Sequence, residues 1–248
     1  ASLLTTGVES YVGATFERCD LKFAASPQQA QRLEEYGVSG KIDVVPLGID
    51  LQLFQPSHRS EELRQQYGIQ ADEKLLIYGG RLVNEKNVPL LIKAYKKLSH
   101  SLKARLLILG EGPLRDELQT MASDLPGVDI LPYESDPPRY AALLASADVY
   151  VTAGPHETFG LSVIEAQASG LPVVGVDAGA LKERVVEGTG YLSPVNDAST
   201  FAENIEKAIH HQQELSEQAY SHVVTQYSWT RTFNQLIEIY EKELKTSS

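Results

Sequence analysis

The segment that spans residues 147–179 restricts the fold of this 248-residue chain more than any other part of the sequence. It opens with an apolar run, Asp148–Thr152, whose valines are typical of a buried strand. A helix is predicted at Gly160–Ser169, and Gly170 follows where a helix C-cap favours a residue with positive φ. A second apolar run, Pro172–Val176, predicts another strand. A strand, a loop, a helix and a strand in this order indicate a parallel sheet covered by helices.

Strand and helix patterns alternate through most of the chain. Further strands are predicted at Leu21–Ala25, Ile42–Pro46, Leu75–Tyr78, Arg105–Leu109, Val128–Leu131 and near Tyr191. Helices are predicted at Glu61–Tyr67, Val88–Leu98, Leu114–Ala122, Arg139–Ser146, Leu181–Val186, Thr200–His211 and Thr230–Lys245, and one more begins at Pro27. This alternation predicts an α/β fold with a Rossmann-like, doubly wound parallel sheet. Ligands of such sheets bind beyond the C-terminal ends of the strands.

Composition argues against several classes of protein. The hydrophobic fraction of 42% and the charged fraction of 22% are those of an ordinary globular protein. A net charge of −11 argues against a nucleic-acid-binding surface, which needs clustered Lys and Arg. No apolar run approaches the ~20 residues that span a bilayer, and the N-terminus lacks the pattern of a signal peptide. The single cysteine, Cys19, fits a reducing compartment and is expected to be buried. We therefore expect a cytoplasmic protein, and peripheral association with a membrane stays open.

The loop before the central helix combines backbone N–H groups with carboxylates. The N–H groups of Phe159, Gly160 and Leu161 are expected to point out of the helix N-terminus, which favours an anion. Glu157 precedes the helix and Glu165 lies inside it. Both carboxylates can accept hydrogen bonds from the hydroxyls of a sugar or a ribose. The alternative is that neither residue binds a ligand: Glu157 complements the helix dipole, and Glu165 lies on a solvated face of the helix.

A second loop, residues 79–87, carries two cations at the end of another predicted strand. Gly80 lets the backbone approach a ligand closely. Arg81 and Lys86 follow, near the start of a helix, where a guanidinium can bind two oxygens and an ammonium acts as a point charge. These residues form a candidate diphosphate clamp. The alternative is a pair of exposed loop cations with no ligand.

Two further candidates follow the next two strands. Gly110 belongs to a Gly-Glu-Gly-Pro turn, which also occurs in plain β–α connections. Tyr133 can stack on a nucleotide base or cap the core. His156 adjoins Glu157, but no nucleophile motif accompanies it, and no His, Cys and acid cluster has metal-ligand spacing. The sequence therefore predicts neither a hydrolase triad nor a metal site.

Three motifs together resemble those of a known family. They are Glu-Thr-Phe-Gly-Leu-Ser-Val-Ile-Glu at 157–165, Ala-x-Ala-x-Gly-Leu-Pro-Val-Val at 166–174, and Gly-Gly-Arg-Leu-x-x-x-Lys-Asn at 79–87. The set is similar to the E-x7-E and diphosphate-binding motifs of retaining glycosyltransferases of the group 1 type, glycosyltransferase family four. The resemblance runs from about Asp20 to the C-terminus. It implies a GT-B architecture, in which two Rossmann-like domains face each other across a cleft.

The resemblance also implies a role for each candidate residue. Catalysis would depend on Glu157, Arg81 and Lys86. The nucleotide sugar would be bound by Gly80, Arg81, Lys86, Gly110, Tyr133, Glu157, Phe159, Gly160, Leu161 and Glu165. Within this set, Glu157 would contact the sugar and Glu165 the ribose.

The implied reaction is transfer of a hexose from a UDP-sugar or GDP-sugar to a glycan or lipid acceptor. The resemblance implies retention at the anomeric carbon, with the departing phosphate taking the proton of the acceptor. No metal ion and no other cofactor would be required. The alternative is a nucleotide-sugar-binding module, or a regulatory subunit, without transferase activity of its own.

The resemblance divides the chain into three segments. Residues 1–50 correspond to the last βα unit of an N-terminal acceptor domain and its linker, residues 51–228 to the donor-binding domain, and residues 229–248 to a crossover helix. Most of the acceptor domain is expected to lie elsewhere, in the same parent chain or in another chain. The isolated chain would then bind a donor but have little or no transfer activity.

Overall fold

The computed structural model describes residues 3–98 and 102–246, so residues 1–2 and 247–248 of the first and last predicted segments lie outside the described residues. Its helices are α1 Leu3–Phe16, α2 Pro27–Glu35, α3 Glu61–Gln66, α4 Val88–Tyr95, α5 Arg115–Ala122, α6 Pro137–Ser146, α7 Leu161–Ala168, α8 Leu181–Arg184, α9 Ala198–His210, α10 Gln212–Gln226 and α11 Trp229–Thr246. Its strands are β1 Phe23–Ala24, β2 Asp43–Val44, β3 Lys74–Gly79, β4 Ala104–Leu109, β5 Val128–Leu131, β6 Val149–Val151, β7 Val173–Val176 and β8 Gly190–Ser193.

Six strands form one parallel sheet within the unit of residues 49–225, in the order β5-β4-β3-β6-β7-β8. On one side, β3 pairs with β4 from Lys74 opposite Ala104 to Gly79 opposite Leu109. On its other side, β3 pairs with β6. The chain therefore builds the sheet outward from β3 in one direction, returns to β3, and then builds in the other direction. The predicted doubly wound α/β fold is confirmed.

The sheet is covered on both faces because its central strands are apolar along most of their length. Residues 75–79 of β3 and all of β6 and β7 are buried. The helices add fully buried side chains such as Leu91 of α4, Ile164 of α7 and Phe201 of α9. Each buried side chain of this size stabilises the fold by roughly 1.5–3 kcal/mol relative to an exposed one. Near-continuous apolar strands of this kind are typical of parallel sheets.

A buried ion pair fixes the N-terminal edge of the sheet. Asp148, immediately before β6, accepts hydrogen bonds from Arg64 Nη1 (3.0 Å), the Leu75 N–H (2.7 Å) and Gln212 Nε2 (3.1 Å). The guanidinium of Arg64 also donates to the carbonyl oxygens of Ser146 and Glu73. This network ties α3 and α10 to the start of the sheet, opposite the strand ends at which ligands bind.

A second compact unit combines the residues up to Gly48 with those from Gln226 onward. In it, β1 and β2 pair in parallel. The long C-terminal helix α11 lies against them, since Gln235 Nε2 donates to the carbonyl oxygen of Val44 (2.8 Å). The predicted long C-terminal helix is thus present and contacts the N-terminal βα unit.

Three local features differ from the sequence-based expectations, and the first is α1 at Leu3–Phe16, which has no counterpart among the predicted helices. Cys19 is exposed, so the expectation of a buried thiol is wrong. Helix α10 is not predicted from the sequence, because its buried positions are only Leu215, Ala219 and Val223. Glutamine, glutamate and serine surround this narrow stripe and conceal its helical period.

Candidate active site

A pocket of about 300 Å³ lies at the C-terminal ends of β3 and β6, where the strand order reverses. Such switch points are where doubly wound sheets bind ligands, because the loops on either side diverge there. The pocket is lined by Tyr78, Gly79, Gly80, Arg81, Lys86, Thr152, Glu157, Leu161, Ser162 and Glu165. Six of these belong to the predicted site residues: Gly80, Arg81, Lys86, Glu157, Leu161 and Glu165.

The other predicted binding residues lie outside the lining of this pocket. They are Gly110, Tyr133, Phe159 and Gly160. The Tyr133 side chain is 61% exposed, which excludes the alternative that it caps the core. His156 is also exposed and is not part of the lining.

Gly110 supports the pocket from the neighbouring strand. A Cβ at Gly110 would lie 2.0 Å from the carbonyl oxygen of Gly80, so no other residue fits there without moving that loop. The Gly80 N–H donates to the carbonyl oxygen of Leu109 (3.0 Å) at the end of β4. The loop after β3 is also held by the Tyr78 hydroxyl, which donates to the carbonyl oxygen of Arg81 (3.1 Å).

The two pocket loops are joined by an ion pair. Lys86 Nζ lies 2.5 Å from Glu157 Oε2, although the two residues are 71 positions apart in the sequence. Burial acts to raise the pKa of Glu157, but the Lys86 ammonium and the backbone N–H groups of Gly160 and Thr158 outweigh it, so the pKa lies below its ordinary value. Glu157 is therefore a carboxylate at neutral pH. Both partners are largely buried, which excludes solvated loop positions for this pair.

Arg81 differs from Lys86 in its exposure. Its side chain is 71% exposed and its guanidinium lies 4.0 Å from the Glu85 carboxylate. An exposed pair of this length contributes little to stability. The Arg81 guanidinium can therefore turn toward an anion in the pocket at little cost in free energy.

Helix α7 presents its N-terminus to the pocket. It begins at Leu161, after Gly160 adopts a left-handed conformation with φ of +82°. The Gly160 N–H is engaged within the protein, since it donates to Glu157 Oε1 (3.3 Å). The first N–H groups of the helix proper are those of Leu161 and Ser162, and both residues line the pocket. The Leu161 side chain is 43% exposed at this position.

Glu165 is half-buried on the pocket side of α7. Burial raises its pKa to about 7, and no cation is among the causes of the shift. The hydroxyls of Tyr140 and Tyr150 lie nearby, and their pKa values are raised by burial and also by the Glu165 carboxylate. The alternative of a solvated face is therefore wrong for Glu165. Near pH 7 this carboxyl exists in both forms and can accept or donate a hydrogen bond.

Sequence reasoning missed four residues of the lining. Gly79 and Tyr78 end β3, Thr152 follows β6, and Ser162 occupies the first turn of α7. A simple signal was available, since each of the four residues either belongs to one of the quoted motifs or ends a predicted strand. In the described part of the chain, no group of three or more His, Cys, Asp and Glu residues could hold a metal ion. Nor do residues 3–98 and 102–246 include a helix long and apolar enough to cross a bilayer.

Comparison with known proteins gives one family match and several relatives. The family model of glycosyl transferases group 1 matches residues 59–222. A GDP-mannose-dependent alpha-(1-6)-phosphatidylinositol dimannoside mannosyltransferase of Mycobacterium tuberculosis is 43% identical over 147 residues, which are 59% of this chain and 38% of that protein. A D-inositol 3-phosphate glycosyltransferase of Nocardiopsis dassonvillei is 31% identical over 90% of this chain and 56% of its own length. The chain thus spans about half the length, or less, of these curated relatives.

Solved structures of similar fold cover nearly the whole chain. A sucrose-phosphate synthase from Thermosynechococcus elongatus is 26% identical and matches 100% of this chain and 63% of its own, with a TM-score of 0.83. Anabaena HepE, solved in complex with UDP-glucose, is 22% identical and matches 96% of this chain and 68% of its own, also with a TM-score of 0.83.

Proposed function

The chain belongs to the group 1 glycosyl transferases, and on that premise we propose that it carries the donor site of a retaining hexosyltransferase. The donor is a UDP-sugar or GDP-sugar, the acceptor is a glycan or a lipid, and the transfer needs no bound metal ion. The observation that carries this proposal is the convergence of Arg81, Lys86, Glu157, Glu165 and the N-terminus of α7 on one pocket.

The charges of the pocket match the parts of a nucleotide sugar. A diphosphate is doubly charged and can be bound by a guanidinium, an ammonium and helix N–H groups together. Arg81, Lys86 and the first N–H groups of α7 supply this set. Carboxylates beside it can accept hydrogen bonds from hydroxyls, which suits Glu157 for the sugar and Glu165 for the ribose.

These residues stabilise the leaving group in the proposed reaction. The bond between the anomeric carbon and the diphosphate breaks, and the acceptor oxygen bonds to the same face of that carbon. The acceptor proton passes to the departing phosphate oxygen, so the products are a glycoside and a nucleoside diphosphate. The negative charge that develops on the diphosphate is stabilised by Arg81, Lys86 and the helix N-terminus. Glu157, held as a carboxylate by Lys86, orients the sugar.

The relatives narrow the choice of donor to test first. The mycobacterial relative is named as GDP-mannose-dependent, and Anabaena HepE was solved with UDP-glucose. A GDP-hexose is therefore the first donor to examine and a UDP-hexose the second. The expected cytoplasmic location, at a membrane surface where the acceptor is a lipid, is part of the same proposal.

Calorimetric titration of GDP, UDP and ADP tests the donor site. We expect one guanine or uracil nucleotide to bind the wild-type chain, and Arg81→Ala/Lys86→Ala to abolish that binding. The double variant Lys93→Ala/Lys103→Ala is the matched control, because it removes two exposed cations outside the pocket. Equal affinity in both double variants would show that the clamp assignment is wrong.

A donor-binding module without transferase activity is the second candidate, because the chain spans only 38% and 56% of the two relatives described above. The two functions differ in acceptor-dependent release of the nucleoside diphosphate. Release by the complete protein supports the transferase. Donor binding without release, even in the complete protein, supports the module.

A further inference from the structure

Arg184 is a buried cation that contacts Phe159, just before α7, and is not part of the pocket lining. It is the last residue of α8 and only 3% exposed. Burying a guanidinium costs solvation free energy, and an apolar side chain of similar volume is often as stabilising or more so. Space filling alone therefore does not explain why an arginine is buried at this position.

The Arg184 guanidinium lies 3.4 Å from the carboxylate of its neighbour Glu183, and its side chain also contacts the turn that precedes α7. Its Nε donates to the carbonyl oxygen of Phe159 (2.8 Å), and its guanidinium carbon lies 4.3 Å from the centre of the Phe159 ring. Its Cγ would lie 3.3 Å from a Cβ at Gly160. The backbone carbonyl of Arg184 accepts a hydrogen bond from Gln167 Nε2 of α7 (2.9 Å). The residue is thus connected to both the turn and the helix.

The turn held in this way carries the functional groups of the pocket. It begins at Glu157, whose backbone carbonyl accepts a hydrogen bond from the Ala180 N–H (2.9 Å) just before α8. It ends at Gly160, whose N–H binds the Glu157 carboxylate and after which α7 begins. The start of the turn is therefore fixed by the N-terminal side of α8, and its end by Arg184 at the C-terminal end of α8.

We propose that Arg184 is a positioning residue, which fixes residues 157–161 so that the Glu157 carboxylate and the N-terminus of α7 face the pocket. It acts through Phe159 and Gly160 and does not touch the donor itself. The effect on nucleotide binding rests on the proposed function, whereas the ordering of the turn does not. Arg184→Met removes the charged hydrogen bond and keeps a long side chain. Arg184→Lys keeps the charge but loses the planar group that stacks on Phe159.

Hydrogen exchange measures the ordering of the turn without any ligand. We expect Arg184→Met to raise amide exchange in a peptide that covers residues 157–164, and Arg184→Lys to have a smaller effect. Arg105→Met is the matched control, because Arg105 is a partly buried arginine near the start of β4 that pairs with Asp129 (2.6 Å). The control is expected to leave exchange at 157–164 unchanged even where it lowers the melting temperature.

Titration of GDP and UDP into the same variants links the turn to the site. Loss of a buried hydrogen bond from a charged group predicts a decrease in affinity of about tenfold or more for Arg184→Met, with partial recovery in Arg184→Lys. Unchanged exchange at 157–164 in Arg184→Met overturns the proposal, and so does unchanged affinity in a wild type that binds. If Arg184→Met raises exchange at 157–164 but the wild type binds neither GDP nor UDP, the positioning role is supported and the proposed function is not.

Discussion

Replacement of Glu165 by Gln tests the burial of a carboxyl in the pocket. Burial raises the pKa of Glu165 from 4.5 to about 7. The folded state therefore holds this proton more tightly than the unfolded state does. The contribution of Glu165 to the free energy of unfolding is fully present below pH 4.5. It decreases as the pH rises from 4.5 through 7 and is constant at higher pH. Glutamine has nearly the same shape and does not ionise, so it removes this dependence.

The size of the effect follows from the difference between the two pKa values. A difference of about 2.5 units corresponds to about 3 kcal/mol of stability that the wild type loses between pH 4 and pH 8. Glu165→Gln is therefore expected to gain about 3 kcal/mol relative to the wild type over the same interval. Most of this gain lies between pH 4.5 and 7, where only the unfolded state has released the proton.

Urea unfolding followed by circular dichroism at pH 3.5, 4, 6, 7 and 8 measures this difference. Glu157→Gln is the internal control. Because the pKa of Glu157 is lowered, the effect of this replacement on stability has the opposite dependence on pH. That variant is expected to be less stable than the wild type at neutral pH, and its deficit should fade as the pH falls below 4.5. If the difference between Glu165→Gln and the wild type does not vary with pH, the carboxyl is solvated and the reasoning is wrong.

Three further predictions concern the site and its chemistry. Lys86→Ala leaves the Glu157 carboxylate without its close partner and is expected to destabilise the chain by about 1–3 kcal/mol in urea unfolding. The stability of Arg81→Ala should stay within about 0.5 kcal/mol of that of the wild type. Equal losses of stability in the two variants would contradict the difference in exposure. Gly160→Ala places a side chain at a φ of +82° and is expected to cost about 1–2 kcal/mol of stability. Gly7→Ala in α1 should be neutral or stabilising, because a Cβ added at Gly7 would meet no neighbouring atom within 4 Å. Thermal melts of the two variants give the comparison. Transferase activity of the complete protein should be unchanged after treatment with EDTA, and recovery of a lost activity by added Mg²⁺ or Mn²⁺ would refute metal-independent transfer.

Local patterns in the sequence were sufficient for the fold class and for most of its elements. Apolar runs of four to six residues predict buried strands, and helical spacing between them predicts the covering helices. Glycines mark the turns, because positions such as Gly160 and Gly170 need a positive φ. These signals are local, so they can be read without knowledge of which strands are neighbours. The exceptions are α1, which is not among the predicted helices, and α10, whose narrow buried stripe gives too weak a helical period.

Most of the residues that line the pocket were also predicted from the sequence, and the reason is topological. In a parallel sheet the C-terminal ends of all strands lie at one edge, so loops that follow strands must lie on the same side. Arg81, Lys86, Glu157 and Glu165 could therefore be assigned to one edge from their position after a strand. Which of them meet depends on strand order, which no local pattern encodes.

Only the tertiary structure decided the pairings and the burial at this edge. The contact between Lys86 and Glu157 exists because β3 and β6 are neighbours, although β4 and β5 separate them in sequence. The same structure buries Glu165 so that desolvation raises its pKa, and it brings Arg184 of α8 against Phe159. Charge, pKa and orientation depend on the distances between groups that are far apart in the chain. Residue types along the sequence determine what chemistry is available, and the arrangement of the strands determines which groups are close enough to perform it.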